Sequence, residues 1–223
     1  MKLSDADHAL VTEAVTRAEL SSDGEIVPVV TDRSDSYHDV ALHYAVLAML
    51  LVPAILAFVP YDTMRSVLRP FMGWSQELDT GAAMLLLFAL LILAFLVVRL
   101  VLAWTPLRMA LTPSATKSRR VRRQAIAMFK VAAERRTVGR TGVLLYVSML
   151  EHRAEIVADH AIHSKVEPEI WGDAMAVLVE NLKAGRPGEG MAAAVEQIGI
   201  VLAACLPRTL ESTNEIPDKL IEI

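Results

Sequence analysis

Residues 82–104 read AAMLLLFALLILAFLVVRLVLAW, and fifteen of them are Leu, Ile, Val or Phe. A run this long and this apolar matches the roughly 20 residues that a helix needs to cross about 30 Å of hydrocarbon. A buried core helix is the alternative. Insertion of this run gains roughly 5 to 9 kcal/mol, against roughly 3 kcal/mol for Arg99 even at mid-depth. Arg99 also lies near the end of the run, where it can snorkel to the interface. Residues 40–59, VALHYAVLAMLLVPAILAFV, form a second candidate span that contains His43 and Pro53. Neighbouring helices can satisfy the carbonyl that such a proline frees. The chain is 54% apolar, more than a water-exposed domain of 223 residues usually carries.

Charge then predicts the orientation of the two spans. The segment between them holds two bases and three acids, whereas 108–123 holds Arg108, Lys117, Arg119, Arg120, Arg122 and Arg123 and no acid. The positive-inside rule places that basic strip in the cytoplasm, so both termini are expected there, on a two-pass protein of the cell inner membrane. Contact of the strip with anionic headgroups is compatible with this. A nucleic-acid partner is not expected, because the strip lacks interleaved aromatics and residues 1–39 carry nine acids against three bases. The acidic, polar start of the chain does not resemble a signal peptide. Cys205, the single cysteine, excludes a disulfide within the chain and reads as core packing.

Outside the spans, residues 4–20 place Leu10, Val11, Ala14, Val15 and Ala18 on one helical face, with Ser4 or Asp5 as N-cap. EIVPVVT reads as a buried strand in which Pro28 favours an edge or a bulge. A helix through Ile126, Phe129, Val131 and Ala132 is expected to stop at TVGRTG, and two β-rich runs around the turn LEHR predict an antiparallel hairpin. Two amphipathic helices follow, over 168–184 and 189–206, separated by GRPGEG and ended by Pro207. The order is that of a small α/β sandwich, interrupted in its first strand-to-strand crossover by a two-helix transmembrane hairpin. The expected divisions are 1–39 as the first part of the split domain, 40–104 as the hairpin with its loop at 60–81, 105–206 as the second part, and 207–223 as a loosely held tail.

The stretches GEIVPVVTDRSDSY, RRTVGRTGVLLYVSMLEHRAEIVADHAI and IWGDAMAVLVENLKAGRPGEGMAAAVEQIGIVLA resemble the TPM domain family. That family includes bacterial membrane proteins and thylakoid-lumen proteins linked to photosystem repair. The resemblance implies a compact α/β domain, and it brings with it an acid phosphatase activity and divalent-metal binding through clustered acids. Many members carry a signal peptide and an uninterrupted domain, and this chain departs on both counts.

Asp32, Asp35 and Asp39 stand just beyond the first strand, where open α/β sheets place ligands. If the strand after Gly142 runs parallel to the first, Glu151 and His152 emerge at the same end. Asp32, Asp35 and Glu151 are therefore the candidate metal ligands, and hard oxygen donors suit Ca²⁺ or Mg²⁺. The competing reading has Asp35 or Ser36 capping the first span, Asp39 complementing its dipole, and Glu151 and His152 solvating a turn. Asp159, His160 and His163 lack a fourth zinc ligand, and the histidines read as surface residues. GRPGEG lacks the Lys-Ser/Thr of a phosphate loop and reads as a turn. No serine has an arguable His and Asp arrangement around it. The chain is expected to be a membrane-anchored binding or assembly module whose partner is a membrane protein or a second copy, with a metal-dependent phosphatase as the alternative.

Overall fold

EIVPVVT and GVLLYVS are uninterrupted apolar runs because both of their faces are covered, as in parallel sheets flanked by helices. In the computed structural model, which describes residues 3–69, 80–132, 141–166, 168–209 and 216–223, they become strands β1 (Glu25–Thr31) and β2 (Gly142–Ser148), buried throughout. They pair in parallel from Glu25↔Gly142 to Thr31↔Ser148. Strand β3 (Arg153–Ala158) pairs antiparallel to β2 across the LEHR turn, and β4 (Ile221–Glu222) adds in parallel to β1. The order is β3-β2-β1-β4.

The helices are α1 (Asp5–Glu19), α2 (His38–Leu56), α3 (Tyr61–Leu68), α4 (Thr80–Val101), α5 (Thr105–Leu111), α6 (Ser114–Ala132), α7 (His160–His163), α8 (Gly172–Lys183) and α9 (Pro187–Cys205), with a 3₁₀ turn at Pro168–Trp171 before α8. Residues 70–79 of the interspan segment and 133–140, where a helix stop is expected, lie outside the described residues. The described residues separate into two units, Met1–Ser36 with Ser114–Ile223, and Tyr37–Pro113.

In the first unit, Ile26, Val30, Val143, Leu145 and Val147 face α1, α8 and α9, while Val27, Val29, Leu144 and Tyr146 face Val121, Ala125 and Phe129 of α6. The sheet is thus covered on both sides. Helix α1 starts at a capping box in which Asp7 N–H donates to Ser4 Oγ and Ser4 N–H donates to Asp7 Oδ2. It packs on α9 at a small-residue contact, where a Cβ added to Gly199 would stand 2.6 Å from that of Ala18.

Several details differ from the sequence-based expectations. Most of GRPGEG is the first turn of α9 rather than a linking turn. Gly190 lies close to Asn181 and Leu178, and only Gly185, at φ +75°, sits in the bend. The end of the tail is docked, with Ile216 and Leu220 buried and Ile223 N–H donating to Val30 O. Pro28 lies in an internal strand, without a bulge. Glu25 N–H points to Thr141 O beside β2 and Ile26 N–H points away, so alternation turns the Pro28 nitrogen away from β2 too. On that side β4 pairs only with Val29 and Val30, and no donor is needed at position 28.

Ile26 N–H is satisfied by Glu19 Oε1 at 2.8 Å. Burial, reinforced by the nearby Glu25 and Asp218 carboxylates, pushes the Glu19 carboxyl from its ordinary 4.5 up to about 9. The folded chain therefore keeps a proton there that the unfolded chain releases, and folding stability falls as pH rises from about 4.5 to about 9. Glu19→Gln keeps the acceptor for Ile26 and removes the titration. Its melting temperature is expected to vary less between pH 5 and 9 than that of the wild type. At pH 8 it should be more stable by roughly 1–2 kcal/mol, the linkage being reduced by solvent screening. Parallel melting curves for the two proteins that overlay across this range would refute the assignment.

In the second unit, α2 and α4 pack together, with Ala41 and Ala45 of α2 fully buried. Neither Asp35 nor Ser36 caps α2. Its N-cap is Tyr37 in a left-handed conformation, φ 53°, without a side-chain cap bond. The Arg108 guanidinium, 4% exposed, donates to Leu102 O at 3.3 Å, placing a cation beside the carbonyls at the end of α4. Three described helices are long and apolar enough to cross a membrane: α2, α4 and α9. Half of the apolar window of α9 is buried, against 17% for α2 and none for α4.

Candidate functional site

Parallel pairing of β1 and β2 carries the loop after Thr31 and the turn after Ser148 to the same end of the sheet, where ligands of open α/β folds collect. The two segments are tied by backbone bonds: Met149 N–H donates to Thr31 O at 3.0 Å and Leu150 N–H to Asp32 O at 2.9 Å. His152 closes the turn in a left-handed conformation at φ 49°, its N–H on Met149 O.

Glu151 points inward and is only 5% exposed. Its Oε1 accepts Ser34 N–H at 2.9 Å, and its Oε2 accepts the Ser148 hydroxyl. Ser34 Oγ in turn meets the buried Tyr146 Oη at 3.1 Å. Burial pushes the Tyr146 phenol above its ordinary value, so the hydroxyl stays protonated at neutral pH. Asp35 Oδ2 lies 2.8 Å from Arg120 of α6. The loop is thus laced to the turn on one side and to α6 on the other.

These bonds bring the predicted residues to the same end of the sheet while engaging them in other ways. Both Glu151 oxygens and one Asp35 oxygen already have protein partners, and Asp32 stands exposed at the rim. Among the described residues, no group of three or more His, Cys, Asp and Glu side chains is placed to hold a metal ion. Asp39 belongs to the first turn of α2, where its carbonyl meets His43 Nδ1 at 2.6 Å. At the other end of the sheet Asp159 is the N-cap of α7, accepting His160 N–H at 2.6 Å, while His160 and His163 are exposed.

The turn, the loop and the α8–α9 bend enclose a cleft of about 710 Å³. Asp32, Arg33, His152 and Lys183 supply its charged and polar rim, and Met149 and Leu182 part of its apolar lining. Arg33 and Lys183 carry no motif, and the sequence does not signal that they share a cleft. Only the fold brings together residues 150 positions apart.

Residues 107–201 match the family model described as the TPM domain. The match omits α1 and β1, which precede the second unit in the chain. No curated protein matches the chain. Among solved structures, the NMR structure of BA42 protein from the psychrophilic bacterium Bizionia argentinensis is similar at a TM-score of 0.57 and 15% identity. The match covers 100% of this chain and 97% of that one. At that identity the likeness concerns the fold.

Proposed function

We propose, on the premise that this is a TPM-domain chain, that it is a membrane-anchored binding or assembly module with its α/β domain on the cytoplasmic side. The observation that carries this reading is the exposure of α2 and α4. Leu47, Leu50, Leu51 and Ile55 of α2, and Leu85, Phe88, Leu93, Leu96 and Leu100 of α4, are all exposed. An apolar surface of that extent is not tolerated in water, whereas two helices that satisfy their own backbone bonds suit lipid. Helix α9 is equally long, but its buried face belongs to the core of the α/β unit, which supports two spans rather than three. The basic strip that follows α4 favours a cytoplasmic domain.

A reporter active only outside the cytoplasm is therefore expected to be silent when fused after Ile223 and active when inserted near Gly73. The reverse pattern would overturn the orientation. For the binding role, mass spectrometry of complexes purified from native membranes should return a recurrent partner or a self-associated species. Repeated recovery of the chain alone and monomeric would count against the module.

The cleft favours a second reading, a phosphatase assisted by Ca²⁺ or Mg²⁺. Arg33, His152 and Lys183 could face the charge of a phosphate ester while Asp32 helps to hold a cation. Because Glu151 and Asp35 are already engaged, cation affinity is expected to be weak, with Kd on the order of 10⁻⁴ to 10⁻³ M. Turnover of a generic phosphate ester that disappears in an Asp32→Ala, Asp35→Ala variant would favour this reading over the first.

A further inference from the structure

We infer that the open edge of β3 is a strand-addition site for an extended, acidic segment of a partner protein. This rests on the reading of the domain as a binding module and names the chemistry of what it binds. Strand β3 ends the sheet, with β2 on one side and no strand on the other among the described residues. Asp159 N–H donates to Gly142 O at 2.9 Å, so antiparallel alternation turns the backbones of Val157, Glu155 and Arg153 toward β2 as well. The N–H and C=O groups of Ala154, Ile156 and Ala158 consequently point out of the sheet. The register from Val143↔Ala158 to Ser148↔Arg153 is continuous, and β3 contains neither a proline nor a bulge to blunt this edge.

A groove of about 430 Å³ runs along it. Arg122 and Ile126 of α6 form one wall and Trp171 and Met175 the other, with Ile156 between them. A strand laid against β3 would gain backbone bonds along the edge, and its alternate side chains would meet the apolar walls. Charge selects the occupant. Helix α6 carries Lys117, Arg119, Arg120, Arg122, Arg123 and Lys130 and no acid. Among the described residues the groove itself contributes a single carboxylate, Glu155, which burial raises above its ordinary value against the opposing pull of Arg122 and Arg153. An acidic segment complements this wall. A second copy does not, because two-fold pairing of β3 with β3 extends the sheet with both α6 helices on the same face, so their basic strips meet.

The test uses the full-length chain in lipid nanodiscs with Trp74→Phe and Trp104→Phe, which leaves Trp171 as the only fluorophore of its kind. The probes are an eight-residue peptide alternating valine and threonine between glutamate ends, its lysine-ended counterpart, and a glutamate-ended form N-methylated on alternate amides. The glutamate-ended peptide should shift Trp171 emission and bind about tenfold or more tightly than either of the others. Arg122→Glu should reverse the charge preference. Ile156→Pro should abolish binding while leaving the bonds to β2, since the Ile156 N–H points outward. Absence of binding, indifference to N-methylation, or an unchanged charge preference in Arg122→Glu would each overturn the proposal, as would a dimer that Ile156→Pro dissociates. A native partner retained by both variants would sink the edge site and leave the module reading intact. Failure to recover any partner with the wild-type chain would instead count against the module itself.

Discussion

Replacing Tyr37–Pro113 with a short Gly/Ser linker is expected to yield a water-soluble, monodisperse α/β domain that unfolds cooperatively. The ends to be joined belong to one unit, and the 2.8 Å pair between Asp35 and Arg120 holds the loop of the first against the helix that begins the second. Arg120 lies six positions into α6, about 9 Å along the helix from Ser114. A flexible linker of about eight residues spans roughly 16 Å on average, which suffices. Loop length itself matters little, about 0.6 kcal/mol per doubling.

Deleting residues 1–36 from the same protein should have the opposite result. It removes β1, which lies inside the sheet between β2 and β4, and α1 with it. Val11, Val15, Ile26, Val27, Val29 and Val30 are each at most 2% exposed. Their loss forfeits on the order of 10 kcal/mol of apolar burial, comparable to the whole stability of an ordinary domain. Circular dichroism melts of the two products decide the matter. Residues 114–223 that melt cooperatively at the temperature of the linked protein would show that the N-terminal segment is an appendage.

The second large effect is expected at Glu151. Truncation to alanine leaves the Ser34 N–H and the Ser148 hydroxyl without their acceptor, and Ser148 is completely buried. Leaving two such donors unsatisfied costs roughly 2–4 kcal/mol. Glu151→Gln retains one acceptor oxygen and should lose less than about half of that. Denaturant unfolding in the presence and absence of calcium is the measurement, and the loss should be the same in both. A Glu151→Ala variant that unfolds like the wild type, yet no longer responds to calcium, would make the residue a ligand instead of a tie.

Glu151 also marks the boundary of what local sequence conveys. Its place in the turn between β2 and β3, and its emergence at the same sheet end as Asp32, follow from the strand pattern and parallel pairing. Its inward direction does not, because the groups that hold it include Ser34, 117 positions away. Glu19 is similar: an acid at the end of an amphipathic helix looks solvated until Ile26 and the tail residue Asp218 are folded around it. Trp171 falls on the apolar face of the amphipathic helix expected over 168–184, and only the end position of β3 makes it, with Met175, the wall of a groove.

The sequence by itself determined the apolar hairpin, the α/β order of the remainder, the β2–β3 turn and the TPM resemblance. Each is written in residues near one another, as unbroken apolar runs, 3.6- and 2-residue periods and a one-sided charge strip. Tertiary structure alone decided that most of GRPGEG opens α9 with close-packed glycines, that Ile221 and Glu222 add a strand beside Val29 and Val30, and which carboxylates are engaged. Those outcomes depend on what arrives from distant parts of the chain. Burial and hydrogen bonding there are properties of the assembled fold and leave no local pattern.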